Sequence, residues 1–417
     1  MSYLISILKY CIFIFFLITP MIYSQTNEQF REDFNVFWET FRDNYAYFDI
    51  KQTDWNKVKE IYEPQIPGLK DDREFIRLLE QMIYELYDSH THLLTNLQDS
   101  YKLVPSGLDI WAEWSGNRCV ITEVRKNSAA DSAGIRAGME IISIDDVPVE
   151  NAIEHLFGKS LKNIDINVKN WAIRVLLAGK HNAARKIEIS NNGYHNIFNF
   201  GKETAGSGNE NLLDSKILEN NIGYIKINNS LSNTDLVSAF DKALDSMFST
   251  DGLILDLRDT PGGGNAIVAR GIMGRFTDKE MPFQKHELPS EERLFGVKRS
   301  WVEYVTPRKN IYSKPLVVLC DHWTGSMGEG ITIGFDGMNR AVVCGTKMAG
   351  LVGAKYDFTL PNTNIGVSYS AEKLFHINGT PRENFTPGRL VDLQNKNNSN
   401  DLILEAGMEV LKSKITK

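Results

Sequence analysis

The chain has 417 residues, 42% of them hydrophobic and 24% charged, with a formal net charge of -7. That length exceeds one ordinary core, and the composition excludes a chain that is mainly disordered or repeatedly membrane-spanning. A negative balance offers no basic surface to phosphates, so no nucleic-acid partner is expected.

In chain order, residues 1–24 come first, with Lys9, an apolar run from Tyr10 broken at Pro20, and the small residue Ser24 before Gln25. The run is shorter than the ~20 apolar residues that a spanning helix needs. It reads as a signal peptide, which makes the chain an exported one of the periplasm or cell envelope, or a secreted one. Membrane contact is expected only if this segment is retained. Of the four cysteines, Cys11 would leave with it. Cys119, Cys320 and Cys344 remain, an odd set without metal spacing, and read as buried structural thiols.

Residues 25–100 show apolar side chains at helical spacing, in FNVFWETFRDNY and FIRLLEQMIYELY, with Asp71 and Asp72 placed to cap the second run. This predicts an N-terminal helical domain that runs out at Asp88-Ser89-His90-Thr91-His92. Within 101–208, the β-rich runs GLDIWAEW, CVITEV and EIISIDDVPV surround a short small-residue helix, SAADSAGI. That order resembles a PDZ domain, with Gly107-Leu108-Asp109-Ile110 at its peptide-carboxylate loop. The resemblance implies Gly107, Leu108 and Ile110 as substrate-binding residues, and an extended polypeptide added as a strand, held by its C-terminus. Two connecting strands (RKIEIS, YHNIFNF) and a helix (NVKNWAIRVLLAG) follow without evident chemistry. From 209 to 417 apolar strands alternate with helices, which predicts a largely parallel, buried sheet whose ligands lie beyond the strands' carboxyl ends.

Two motifs fall at such ends. LILDLRDTPGGG, 253–264, is a buried strand running into three consecutive glycines. Bare backbone of that kind lets main-chain N–H groups face a ligand, as an oxyanion hole requires, with Gly262 and Gly263 as donors. KPLVVLCDHWTGSMGEGITIGF, 314–335, is a strand, a Thr-Gly-Ser turn and a helix. It sets Ser326 at a helix N-terminus, where the dipole favours developing negative charge and Met327 N–H supplies a further oxyanion donor. An ordinary helix-capping serine would look the same.

Together these motifs resemble the tail-specific, or C-terminal processing, serine protease family. Its members pair an LDLR-type strand and Pro-Gly-Gly, here Asp256-Leu257-Arg258 and Pro261-Gly262-Gly263, with a serine followed three residues later by glutamate, here Ser326 and Glu329. The order helical segment, PDZ-like domain and protease core is also the family's. The resemblance implies a multidomain α/β fold with a crotonase-like spiral core, and a serine endopeptidase that uses no metal or organic cofactor.

The family's branches differ in how the serine is activated. In the Ser-Lys branch a lysine follows the next strand, but aligning Arg340 and Gly345 with that stretch puts Leu351 at its position. The tricorn-like branch takes a histidine from a Ser-His-Thr sequence and a glutamate from Glu-Asn-x-x-x-Pro. Asp88-Ser89-His90-Thr91 and Glu383-Asn384-Phe385-Thr386-Pro387 match these, with Thr386 departing from the usual Gly-Val. The resemblance therefore implies a relay of Ser326, His90, Ser89 and Glu383. Histidine titrates nearest neutral pH and can take the hydroxyl proton, which agrees with that assignment. His92 and His322 compete for the role, and Trp323 is expected in a pocket wall or the core. Two other readings stand beside it: a catalytically silent peptide- or lipid-binding scaffold, and a Ser-Lys enzyme using Lys347.

Overall fold

The computed structural model describes residues 26–202, 211–394 and 400–416. The signal-peptide expectation for 1–24 lies outside the described residues.

The N-terminal unit is helical because its apolar residues recur at helical spacing. Helix Asn27–Asn44 starts at a capping box between Thr26 and Gln29 and buries Phe30, Phe34, Phe37 and Phe41 along one face. Helices Trp55–Tyr62 and Asp72–Tyr84 complete it, each with an aspartate N-cap, Asp54 and Asp71. Its core is not its own: Leu360, Val367, Tyr369 and Ala371, some 300 residues downstream, pack into the same cluster. Buried Asp33 adds a polar tie, accepting the Asn362 N–H at 3.0 Å and the Thr363 hydroxyl at 2.6 Å.

The second unit is a sheet of strands Ile110–Ser115, Arg118–Val124, Glu140–Ile144, Arg185–Asn191 and Tyr194–Phe200, in that order, with Val147–Pro148 paired to the third. Helix Ile166–Ala178 covers it, burying Trp171, Ile173 and Leu177. A buried ion pair, Arg185 to Asp109 at 2.7 Å, braces the start of the first strand.

The third unit carries the expected parallel sheet. Arg389–Leu390, Val342–Gly345, Leu316–Cys320, Gly252–Asp256 and Ile222–Ile227 run parallel, and Leu213–Leu218 closes one edge antiparallel. Strands Gly252–Asp256 and Leu316–Cys320 are buried along their whole length, as continuous apolar runs in a covered parallel sheet should be. Helices Asp235–Asp245, Ala266–Met273 and Met327–Gly337 share the core on one face, and Leu402–Ile415 covers the other. Cys119, Cys320 and Cys344 are free and buried.

One layer exceeds the expected architecture. Ala354–Thr359, Gly366–Phe375, Met281–Glu287 and Ser300–Val305 form a second, antiparallel sheet, joined at one edge by His92–Leu93 of the N-terminal unit. Its strands Ser300–Val305 and Ala354–Thr359 are exposed at half or more of their positions, so they lack the apolar runs that announced the parallel sheet. Among the described residues no helix is long and apolar enough to cross a membrane.

Candidate active site

Ser326 caps helix Met327–Gly337 with φ 51 and ψ -110, a backbone conformation that side-chain-bearing residues seldom adopt. Such a residue costs of order 1–3 kcal/mol and persists only where its surroundings over-determine it. They do so here. The Ser326 N–H donates to Glu329 Oε2 at 2.8 Å, and the three-glycine turn lies against the serine. A Cβ on Gly263, whose φ is +63, would sit 2.4 Å from Ser326 Cβ, so only glycine fits.

The oxyanion donors expected from sequence are not equally available. The Gly262 N–H donates to Asn229 Oδ1 at 2.7 Å and the Gly263 N–H to the Thr260 carbonyl at 3.2 Å. Met327 N–H, at the first turn of the helix, has no such acceptor among the described residues. The glycine motif foretold a close backbone approach, whereas the Asn229 side chain that occupies one amide comes from a distant turn.

His90 lies on the turn after helix Asp72–Tyr84, two residues before His92–Leu93 enters the antiparallel sheet. Its ring Nδ1 is 2.9 Å from the Val352 carbonyl, which can only accept, so Nδ1 carries the proton and Nε2 the lone pair. Its backbone N–H donates to Asp88 Oδ1 at 2.8 Å. The other Asp88 oxygen accepts from Tyr45, Thr91 and Ser370 hydroxyls at 3.0, 2.7 and 2.9 Å, fixing the turn. Burial holds His90 down to about 3, with the Arg382 charge adding to it.

Four consecutive residues connect this turn with the serine. The Gly350 N–H donates to Glu329 Oε1 at 3.0 Å, and Leu351, the residue aligned with the other branch's lysine, is buried. A Cβ on Gly325 would meet Leu351 Cδ1 at 3.3 Å. The Leu351 and Gly353 carbonyls both accept from Arg382 Nη2, at 2.8 and 2.9 Å. Buried Glu329 is raised to about 7 by desolvation, against the pull of Arg382.

The remaining expected residues are placed as follows. Glu383 stands next to Arg382; burial raises its carboxyl, and its Oε2 is buried without a partner. No hydrogen bond joins Ser89 to Glu383, or either to the His90 ring, among the described residues. The ring is oriented instead by the Val352 carbonyl, a backbone atom that no side-chain motif reveals. Sequence reasoning gave no role to Asp88, Ser370 or Arg382, although Asp88 heads the Asp-Ser-His-Thr motif and Arg382 directly precedes Glu383. His92 is lowered to about 4 by burial and keeps an unpartnered Nδ1. Ser89, Thr91 and His92 border a small cavity of about 60 Å³, also lined by Leu103, Val104 and Trp171. Lys347 is exposed.

His322 does not face Ser326. It stacks on Trp111 at 4.5 Å and hydrogen-bonds Glu123, both from the second unit. Trp323, fully buried, donates its indole N–H to the Leu108 carbonyl at 2.7 Å. The Gly107-Leu108-Asp109-Ile110 loop is therefore docked: Leu108 and Ile110 are buried, and the Gly107 and Leu108 amides donate to Leu103 and Pro105 carbonyls. The adjoining strand is at a sheet edge, but its Trp114 N–H already donates to Asn170 Oδ1 at 2.8 Å.

Comparison with known proteins agrees with this layout. Residues 221–388 match peptidase family S41, 26–84 the tricorn protease C1 domain and 99–164 the PDZ domain. Ser89 and His90 fall between the matched stretches. The carboxy-terminal processing protease CtpA of Bacillus subtilis is 26% identical over 294 residues, 68% of this chain and 55% of that protein. The chloroplastic carboxyl-terminal-processing peptidase 1 of Arabidopsis thaliana is 22% identical over 343 residues, 78% of this chain and 63% of that one. The chain thus spans little more than half the length of these relatives. Among solved structures, mature CPAF superposes with a TM-score of 0.61 at 16% identity, covering 93% of this chain and 96% of that one. The photosystem II D1 C-terminal processing protease gives 0.57 at 18%, covering 94% and 99%.

Proposed function

Because the chain belongs to peptidase family S41, we propose that it is an exported serine endopeptidase acting on extended polypeptides, with Ser326 as nucleophile and His90 as general base. The observation that carries this reading is the Val352 carbonyl on His90 Nδ1, which leaves Nε2 unprotonated and ready to accept a proton.

Ser326 Oγ attacks the scissile carbonyl as its proton passes to His90 Nε2. The C–N bond then breaks, the imidazolium returns that proton to the leaving amine, and an acyl-enzyme remains on Oγ. Water, deprotonated by the same nitrogen, releases the acid and restores the hydroxyl. Met327 N–H is the first donor to the oxyanion; Gly262 N–H joins it by exchanging Asn229 Oδ1 for the substrate oxygen. Such donors contribute about 3 kcal/mol each elsewhere. Glu383, with its unpartnered oxygen, and Ser89 complete the proposed relay as positioning residues, neither of them bonded to the His90 ring in this structure. Export rests on the composition of residues 1–24.

The test is labelling of the purified chain with an alkyl fluorophosphonate, located by mass spectrometry. Labelling at Ser326 that is lost in His90→Ala and kept in Lys347→Ala supports the relay. Labelling kept in His90→Ala but lost in Lys347→Ala overturns it for the Ser-Lys reading, and a folded chain that neither labels nor cleaves casein is a binding protein.

A further inference from the structure

Resting on the Ser326–His90 reading, we propose that Glu329 and Arg382 are positioning residues that clamp the segment Gly350–Gly353 and thereby fix the distance and angle between nucleophile and base.

Every polar group of that segment facing the two residues is committed. Glu329 uses one carboxylate oxygen for the Ser326 amide at 2.8 Å and the other for the Gly350 amide at 3.0 Å. Arg382 Nη2 takes the carbonyls of Leu351 and Gly353. The carbonyl between them, on Val352, accepts from the His90 ring at 2.9 Å, and the Ser370 hydroxyl lies 3.0 Å from it, its one proton shared with Asp88 Oδ2. From the Gly350 amide to the Val352 carbonyl are three residues, at most about 11 Å of chain. Hence one carboxylate, three residues and one carbonyl connect the Ser326 backbone with the His90 imidazole.

The glycines at each end make the arrangement possible. Gly350 and Gly353 have φ of +69 and +67, and a Cβ on Gly353 would lie 2.2 Å from the Glu372 carbonyl. Stability alone does not call for this construction. Glu329 is wholly buried and Arg382 nearly so, with 3.8 Å between them, and buried charges of this kind are often matched or bettered by apolar residues of similar volume. What an apolar filling cannot supply is direction. A misplacement of ~1 Å at a reacting pair costs about 100-fold in rate, and the clamp constrains both members through short hydrogen bonds.

The experiment measures fluorophosphonate labelling of Ser326 in the full chain, per folded molecule, in Glu329→Gln and Arg382→Lys. It also reads the His90 tautomer from side-chain ¹⁵N shifts of histidine-labelled protein. Glutamine has one acceptor oxygen, so one of the two amides faces an NH₂ group; the lysine ammonium ends one atom short of the Nη2 position and lacks the planar guanidinium that holds it there. We expect labelling to slow by about 10- to 100-fold and the His90 signal to leave the pure Nδ1–H form. Wild-type labelling with an unchanged tautomer in both folded variants overturns the clamp while the relay stands, provided His90→Ala still fails to label. Slow labelling with an unchanged tautomer also overturns it, since Glu329 would then act on the serine alone. Wild-type labelling in His90→Ala removes the relay and the clamp together. If one variant does not fold, the other decides.

Discussion

The turn bearing Ser326 is held from both sides, and the two grips are built of different material. Upstream, His322 and Trp323 are held by the PDZ unit through a ring stack on Trp111, an indole bond to Leu108 and the Glu123 carboxylate. Downstream, Glu329 is held by two amides and backed by Arg382. The first grip is broad and mostly a matter of packed area, so damage to it should cost stability. The second is narrow and directional, so damage to it should cost rate. The difference also separates the partners: the helical unit delivers His90, the proposed base, whereas the PDZ unit delivers support.

The reference for both grips is loss of the chemistry itself. Ser326→Ala and His90→Ala should each lower casein hydrolysis by at least about 10³-fold with the chain still folded by circular dichroism. Against that, Trp323→Ala tests the upstream grip. Removing a fully buried tryptophan should cost about 3–5 kcal/mol in urea unfolding, with labelling of Ser326 per folded molecule within a few-fold of wild type. A labelling loss as deep as that of Glu329→Gln would erase the distinction between the grips.

A pH series sharpens the downstream side. His90 is held at about 3 against an ordinary 6.5, so below 6.5 the unfolded chain binds a proton that the folded one refuses. Its contribution to stability is therefore lost as pH falls through that window. Glu329, raised to about 7 from 4.5, keeps a proton that the unfolded chain releases, so its contribution is lost as pH rises through 4.5 to 7. Urea midpoints of His90→Ala, relative to wild type, should therefore climb as pH is lowered from 6.5. Those of Glu329→Gln, relative to wild type, should fall as pH is lowered from 7 to 4.5. Parallel curves for the three proteins would show that neither group titrates as its burial requires.

Much of this was legible in the sequence, for reasons that differ by region. The parallel sheet was readable because its strands are buried end to end, and Ser326 because a strand, a Gly-Ser turn and a helix are contiguous in LCDHWTGSMGEG. Asp-Ser-His-Thr drew attention to His90, but its ring partner is a carbonyl 262 residues away. A backbone acceptor carries no residue identity, so no motif could point to Val352. The antiparallel sheet escaped for a related reason: strand Ala354–Thr359 is exposed at most positions and gains its meaning only from Gly366–Phe375 beside it. The PDZ pattern predicted the strand order but not the docking of its loop, since the indole that closes it belongs to another unit.

The smallest expected effect concerns the rim of the PDZ seam. Arg125 pairs with Asp259 at 2.6 Å, with side chains 28% and 35% exposed, and Lys126 pairs with Asp401 at 2.8 Å. Both pairs border a charged cleft that also holds Lys226, Asp256 and Arg258. Exposed pairs contribute roughly 0–1 kcal/mol and are screened by salt. Asp259 keeps Lys226 at 3.5 Å when Arg125 is removed, which lowers the cost further. Arg125→Ala should therefore destabilise by less than about 1 kcal/mol, and the difference should shrink at high salt. The position is nonetheless informative, because Asp259 directly precedes Thr260, whose carbonyl holds the Gly263 amide. Unchanged labelling of Ser326 in this variant would confine the charged rim to docking. A tenfold loss would mean that the rim reaches the three-glycine turn, and that the PDZ unit governs rate as directly as the proposed Glu329 clamp.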